Sequence, residues 1–180
     1  MKATGIVRRI DDLGRVVIPK EIRRTMRIRE GDPLEIYTSK EGEVIFKKYS
    51  LLGDLDDFAA QMCDTMNKST GFTVAITDRD TIIAVAGAFR KELIGKGISE
   101  ELSDIMENRR IVREEPQGRW TPVSENLEQY RAVIAAPIIS EGDAMGLVLF
   151  VAAEDSPAAG DAEYKLAQTI AAFLGKHMES

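Results

Sequence analysis

Cysteine and histidine are nearly absent from this sequence, which contains only Cys63 and His177. A lone cysteine excludes an internal disulfide, and the two residues together are too few ligands for a structural zinc site. Both fall in predicted helices, where Cys63 is expected to be a buried apolar side chain and His177 to favour the negative end of a helix dipole. We therefore predict no metal and no cofactor.

Long apolar runs are also missing. No stretch approaches the roughly 18 consecutive apolar residues of a membrane-spanning helix, and the start "MKATGIVRRI" lacks an apolar signal segment. We expect no membrane association and a cytoplasmic protein. The 180 residues, 44% of them hydrophobic, suffice for one ordinary domain and a small one.

The common catalytic motifs are absent too. The sequence has no glycine-rich nucleotide loop, no GxSxG, no HExxH and no histidine near a plausible nucleophile. Acid–base chemistry by paired carboxylates stays open, because acidic residues are abundant. We predict that the protein is not an enzyme and has no catalytic residues.

Charge is divided unevenly along the chain. Residues 1–50 carry 12 Lys and Arg against 8 Asp and Glu, whereas residues 51–180 carry 12 against 22, which together give the net charge of -6. A basic module joined to an acidic one predicts a domain that binds a polyanion and a second domain with another task. The alternative is an ordinary fluctuation of surface charge.

The sequence of the basic module, residues 1–50, predicts four short strands and one helix. Turn residues separate the strands, and Pro19 suits the first position of the helix. In chain order the elements are "TGIVRRI", "RVVI", the helix "PKEIRRTMRI", "LEIYTS" and "EVIFKKY". About 50 residues bury too little surface to be stable alone without a disulfide or a metal, so we expect two chains to interleave their hairpins in a homodimer.

Basic side chains cluster around the first predicted turn and on the predicted helix. Guanidinium groups offer planar sets of donors that suit phosphate oxygens and the acceptor edge of guanine, so the cluster predicts binding to double-stranded DNA. Alternatively, these side chains form a solvated face paired with nearby carboxylates. The predicted DNA-binding residues are Arg8, Arg9, Arg15, Lys20, Arg23 and Arg24.

The run "GRVVIPKEIRR" and its flanks resemble the swapped-hairpin DNA-binding domain of AbrB-type transition-state regulators of spore-forming bacteria, nearly without gaps over residues 1–50. The resemblance implies an obligate dimer whose looped-hinge helices lie on the DNA, and it assigns DNA contacts to four of the six basic residues. Those four are Arg8, Arg15, Arg23 and Arg24. It also implies a nucleoid-associated regulator, an activator or a repressor of transcription, in the developing spore.

From Leu51 onward the sequence predicts a second domain, residues 51–180. An amphipathic helix beginning at Leu51 follows the last strand without a linker, and two apolar hairpins and a long closing helix come after it. This order describes an antiparallel sheet flanked by helices, so the whole chain is predicted to be α+β. Apolar stripes on the helices that start at Leu51 and Ser156 predict that two dimers pair as a homotetramer.

The segment "RAVIAAPIISEGDAMGLVLFVA" makes the second domain similar to GAF domains, which bind small molecules or serve as sensor and dimerisation modules. That resemblance implies a ligand, of unknown identity, between the sheet and the segment 109–130. An arginine-rich rim would hold an anionic metabolite there, unless the arginines pair with neighbouring glutamates. The rim residues are Arg110, Arg113, Arg119 and Arg131.

A DNA-binding transcriptional regulator with a sensory domain is therefore the predicted function. One alternative is a toxin–antitoxin antidote, because AbrB-like domains also occur in that class, although antidotes usually end in short tails of low hydrophobicity. A metabolite-binding regulator without a DNA role is the other alternative.

Overall fold

The computed structural model describes residues 4–49, 56–115, 118, 121–154 and 156–179. The chain divides into two compact units, Met1–Tyr49, here called the head, and Ser50–Ser180, here called the body. The elements of the head are α1 (Lys20–Thr25), β1 (Leu34–Thr38) and β2 (Val44–Lys48). Those of the body are α2 (Asp56–Thr70), β3 (Thr73–Thr77), β4 (Ile82–Ala86), α3 (Arg90–Leu93), α4 (Glu100–Glu107), β5 (Val112–Arg113), β6 (Arg131–Ser140), β7 (Asp143–Ala152) and α5 (Asp161–His177).

The second hairpin of the head forms as predicted. Strands β1 and β2 pair antiparallel, with Ile36 opposite Phe46. Helix α1 also forms, although Pro19 is its N-cap and the helix proper begins at Lys20. A proline costs nothing at either position, because its missing N–H would have no partner inside the helix.

The first two predicted strands of the head do not form within the single chain. Residues 5–10 and 15–19 carry no regular secondary structure, although the turn between them is closed by hydrogen bonds. A strand requires a hydrogen-bonded neighbouring strand, and the described part of this chain provides none for these residues.

The head has no core of its own. None of the described residues 4–49 is fully buried. Large apolar side chains are instead open to solvent, with Val7 85%, Ile10 69% and Ile36 61% exposed. A module of this size cannot be stable while it leaves this much apolar surface in water.

The body is built on one antiparallel sheet with the strand order β4-β3-β7-β6-β5. Helices α2 and α5 cover one face, where Met66 and Leu174 pack against Phe150. Helices α3 and α4 cover the other face, where Leu93 and Leu102 lie in the same apolar cluster as Leu149. The predicted sheet flanked by helices is therefore confirmed.

Helix α5 approaches β6 more closely than a side chain would allow. A Cβ atom at position 175 would overlap the carbonyl oxygen of Ile139, so only glycine fits there. The helix begins at Asp161, where the Glu163 carboxylate accepts a hydrogen bond of 2.8 Å from the Gly160 N–H. A long closing helix was predicted, but α5 starts five residues after the predicted start at Ser156.

Helix α4 begins with a side-chain cap at Ser99, a residue type that is common at this position. The hydroxyl of Ser99 accepts a hydrogen bond from the Leu102 N–H at 3.2 Å and donates one to the Pro122 carbonyl at 2.7 Å. The Glu125 carboxylate accepts from the Glu100 N–H at 2.8 Å. These bonds fasten the segment after position 121 to the start of α4.

The start of α2 and the strand β5 remain to be compared with the sequence predictions. The predicted helix start at Leu51 lies outside the described residues, and α2 is seen from Asp56 onward. The two-residue strand β5 was not predicted, because it is too short to produce a pattern. Over the described ranges, no helix is long and apolar enough to cross a membrane.

Candidate nucleic-acid interface

The first turn of the head is organised by one carboxylate. Asp11 Oδ1 accepts hydrogen bonds from the N–H groups of Leu13 at 3.0 Å and Arg15 at 2.7 Å. The Asp11 N–H donates to the Arg15 carbonyl at 3.0 Å, and Gly14 takes the positive φ of 75° that the turn requires. The turn therefore holds Arg15 beside Asp11, and Asp11 follows Arg9 by two residues.

Helix α1 groups three of the predicted basic residues. Arg23 and Arg24 lie three and four residues after Lys20, which places all three on one side of the helix. Ile22, on the opposite side, is half-buried. The helix has only six residues.

All six predicted DNA-binding residues are exposed. Within the described residues, only Arg15 of these six has an ion pair, in which its Nε lies 3.3 Å from Asp11 Oδ2. Both side chains of that pair are solvated, so it contributes about 1 kcal/mol or less. The other five make no ion pair with any described residue, and they leave their charge available to a polyanion. Those five are Arg8, Arg9, Lys20, Arg23 and Arg24.

Other cations of the head are used inside the hairpin. Lys47 Nζ lies 4.5 Å from the centre of the Tyr37 ring. Lys48 Nζ donates to the Arg27 carbonyl at 3.0 Å and lies 3.9 Å from Asp32. Lys47 and Lys48 therefore contribute contacts to the fold of the head, unlike the five exposed cations that make no ion pair with a described residue.

The end of α1 carries an arginine that the sequence analysis did not include in the interface. Arg27 has a φ of 51°, in the left-handed region, directly after the helix. The Ile28 N–H donates to the Arg23 carbonyl at 2.7 Å and the Arg27 N–H to the Arg24 carbonyl at 3.2 Å, which is the Schellman arrangement. Glycine usually occupies this position, and a residue with a Cβ costs about 1 kcal/mol there. A left-handed arginine leaves no signal in the sequence.

Two of the four arginines predicted for a ligand rim in the body form ion pairs. Arg131 is buried, and its Nε donates to Glu114 at 2.9 Å, as the alternative of pairing with neighbouring glutamates predicts. Arg113 pairs with Asp161. Arg110 is exposed, and Arg119 lies outside the described residues.

An open groove lies where the 109–111 segment meets α5 and the β6 strand. It has a volume of about 500 Å³ and an apolar floor that includes Pro137 and Ala171. Arg109, Lys176 and Glu179 are its charged lining residues, and Arg109 Nη2 lies 3.9 Å from Asp143 Oδ1. The groove can hold a small molecule with an apolar part and a negative group.

The lone cysteine is chemically protected. Cys63 is fully buried, and burial raises the pKa of its thiol from 9.0 to about 12, although a backbone hydrogen bond with Ile76 lowers it in part. A thiol in this state is a poor nucleophile. His177, at the end of α5, stacks on the ring of Phe58 with 5.2 Å between ring centres.

Family comparison supports the division of roles between head and body. Residues 54–179 match the family described as stage V sporulation protein T C-terminal, transcription factor. The chain belongs to the stage V sporulation protein T family. It is 48% identical to stage V sporulation protein T of Bacillus subtilis (strain 168) over 179 residues, which cover 99% of both chains. The predicted identity as a sporulation transcription regulator is thereby confirmed.

The head of this family member has relatives of its own. It is 63% identical over 49 residues to the transition state regulatory protein AbrB of Bacillus subtilis (strain 168), which covers 27% of this chain and 50% of that protein. Residues 7–51 also match the family described as antidote-toxin recognition MazE, bacterial antitoxin. The predicted AbrB-like character of the head is confirmed.

The body of this family member has the GAF fold. The GAF domain/HD domain protein from Geobacter sulfurreducens is similar in structure, with a TM-score of 0.50 and 19% identity, over 73% of this chain and 99% of that one. This likeness concerns the fold alone. The predicted fold class, an AbrB-like domain followed by a GAF-like sheet flanked by helices, is confirmed.

Proposed function

We propose that this sporulation transcription regulator binds double-stranded DNA through the basic surface of a dimeric head, while its body adjusts that binding. The observation that carries the proposal is a set of five exposed cations that make no ion pair with a described residue, together with Arg15, in a chain whose net charge is -6. Unpaired cations near each other repel, and DNA phosphates would offset that repulsion. The proposed contact residues are Arg8, Arg9, Arg15, Lys20, Arg23 and Arg24.

Recognition in this proposal depends on the shape of the DNA as much as on base edges. Helix α1 has six residues, about 9 Å in length, so it reaches few bases. Binding would therefore depend mostly on phosphate contacts and on DNA deformability, with degenerate or AT-rich sites.

The dimer is part of the proposal, because the head needs a partner to gain a core. Exposed apolar side chains such as Val7, Ile10 and Ile36 would be covered by the second chain. The same chain would provide hydrogen-bonded neighbours for residues 5–10 and 15–19. Two copies of α1 and of the first turn would then form one basic surface.

The body is proposed to bind a small molecule and to pair two dimers as a tetramer. The groove beside Pro137 would accept a small anionic molecule, whose identity we leave open. Two dimers would pair through α2 and α5, where Phe173 is 49% exposed beside Phe58 and His177. The protein would act in the cytoplasm, on the nucleoid of the developing spore, without catalytic activity or a cofactor.

The interface is tested by replacing one arginine. Arg23→Ala is expected to weaken binding to an AT-rich duplex of 30 base pairs by about 1 to 3 kcal/mol, measured by fluorescence anisotropy, because one charged contact per subunit is lost. The circular dichroism spectrum should stay unchanged.

If each dimer neutralises about eight phosphates, the logarithm of the wild-type association constant should fall with a slope near -7 against the logarithm of salt concentration.

A matched control is available in the body. Arg90 is exposed at the start of α3, so Arg90→Ala removes the same charge outside the proposed interface and should leave the affinity unchanged. Unchanged affinity in both Arg15→Ala and Arg23→Ala would remove these residues from the interface. A salt slope of zero would contradict DNA binding through phosphates.

A second candidate, a toxin–antitoxin antidote, is supported by the match of residues 7–51 to the antitoxin family. That match covers only the basic head. An antidote tail wraps a toxin as an extended segment, whereas the body here is a packed sheet domain. Restored growth of cells that express a toxin of the MazF type together with this chain would favour the antidote.

A further inference from the structure

Among the basic residues in the described part of the head, Arg27 alone has a backbone conformation that disfavours a side chain. Its φ of 51° lies in the left-handed region, and the hydrogen bonds of the helix end fix it there. Glycine adopts this conformation without steric cost, whereas arginine does not. The position should therefore be more stable with glycine.

The side chain of Arg27 does not offset this cost inside the described structure. It is exposed and makes no ion pair or hydrogen bond with a described residue. The contact that Lys48 makes at this position uses the main-chain carbonyl, which every residue possesses. A positive charge near the C-terminus of α1 gains a little from the helix dipole, but a lysine would gain the same.

The location of Arg27 links it to the proposed interface. It follows Arg24 by three residues, and the Ile28 N–H that closes the helix end bonds to the Arg23 carbonyl. The same short segment thus fixes the backbone of all three arginines relative to one another. Arg27 extends the unpaired basic surface past the end of α1.

We propose that Arg27 contacts the phosphate backbone of DNA, and that its strained conformation lowers the stability of the head in exchange for affinity. This inference rests on the proposed function of the head. It predicts that one substitution moves stability and binding in opposite directions. A residue that serves only the fold would move both in the same direction.

The test is Arg27→Gly in the full-length chain. Relief of strain should raise the urea midpoint of unfolding, while affinity for the AT-rich 30-base-pair duplex should fall about fivefold at constant salt. Loss of one phosphate contact per subunit should make the salt slope shallower by about two per dimer. Binding is measured by anisotropy and unfolding by circular dichroism.

Three further variants separate the causes. Arg27→Lys keeps both the charge and the strain, so it should retain most of the affinity and the original midpoint. Arg27→Asn removes the charge but tolerates the left-handed region, so it should resemble the glycine variant. Glu141→Gly relieves a similar positive φ of 49° in the body and should raise the midpoint without weakening DNA binding.

The outcomes distinguish this inference from the proposed function. If Arg23→Ala weakens binding while Arg27→Gly does not, Arg27 is no contact and the interface stands without it. If neither variant weakens binding, the proposed interface itself is wrong. If Arg27→Gly lowers both the midpoint and the affinity, the arginine stabilises the fold and the inference is overturned.

Discussion

Arg131 and Arg23 carry the same charge but lie in opposite surroundings. Arg131 is buried beside Glu114, and removing either partner would leave the other charge in an apolar setting. Arg23 is exposed and makes no ion pair with a described residue, so its removal should cost the fold little. Composition and spacing alone do not distinguish the two, because pairing is decided by residues distant in sequence.

Cys63 allows a prediction at this scale. With a pKa of about 12, only about one thiol in ten thousand is ionised at pH 8, so a disulfide reagent such as DTNB should react only when the body unfolds. In urea, one thiol per chain should react at once. Prompt reaction of the folded protein would contradict the buried position.

The same thiol links stability to pH. Its folded pKa is raised above the value of 9.0, so its contribution to stability is fully present below pH 9 and is lost as the pH rises towards about 12. No change in stability from Cys63 is expected on the acid side.

Single elements of the body are held by a few specific contacts. Gly175 lets α5 approach Ile139, and the Ser99 hydroxyl joins the start of α4 to Pro122. The approach of α5 to Ile139 requires that position 175 has no side chain, and the link to Pro122 requires the hydroxyl oxygen of Ser99. Both elements were predictable from their apolar periodicity, but only the Ser99 cap was predictable as a contact, because N-caps follow a local rule.

Loss of the Ser99 hydroxyl should destabilise the body. Ser99→Ala removes the cap of α4 and leaves the Leu102 N–H and the Pro122 carbonyl without this partner, which we expect to cost about 2 kcal/mol. The free energy of unfolding, measured in urea, checks this value. Ser103→Ala in the same helix should change it by less than about 0.5 kcal/mol, and equal effects from both serines would show that the cap contributes nothing.

The head shows where sequence reasoning ends. Its helix and second hairpin were predicted because their hydrogen bonds are local. The first two strands were predicted from β-branched residues such as Val16 and Val17, but in the described part of the single chain no neighbouring strand pairs with them. The alternation of apolar residues shows which side of a strand is apolar. It does not show whether the same chain or a second chain packs against that side. The left-handed Arg27 was missed for a related reason, since its conformation follows from helix-end hydrogen bonds.

At the scale of the whole molecule, the exposed apolar surface of the head predicts its assembly. The full chain should sediment at micromolar concentration as a dimer or as a pair of dimers. Ile36→Lys places a charge on the exposed apolar face of the hairpin and should shift the distribution towards smaller species. Lys40→Glu, in the turn between β1 and β2, is the control and should leave the distribution unchanged. A folded monomer of the unaltered chain would rule out the interleaved head.

A head without an interior couples its own formation to the abundance of the protein. When two chains must meet before either can bury Val7 or Ile36, the yield of completed heads rises with the square of chain concentration at low expression. A twofold increase in synthesis would then produce about four times as many DNA-competent units. In the proposed dimer, the amount of DNA-competent regulator would therefore rise more steeply than in proportion to the rate of synthesis.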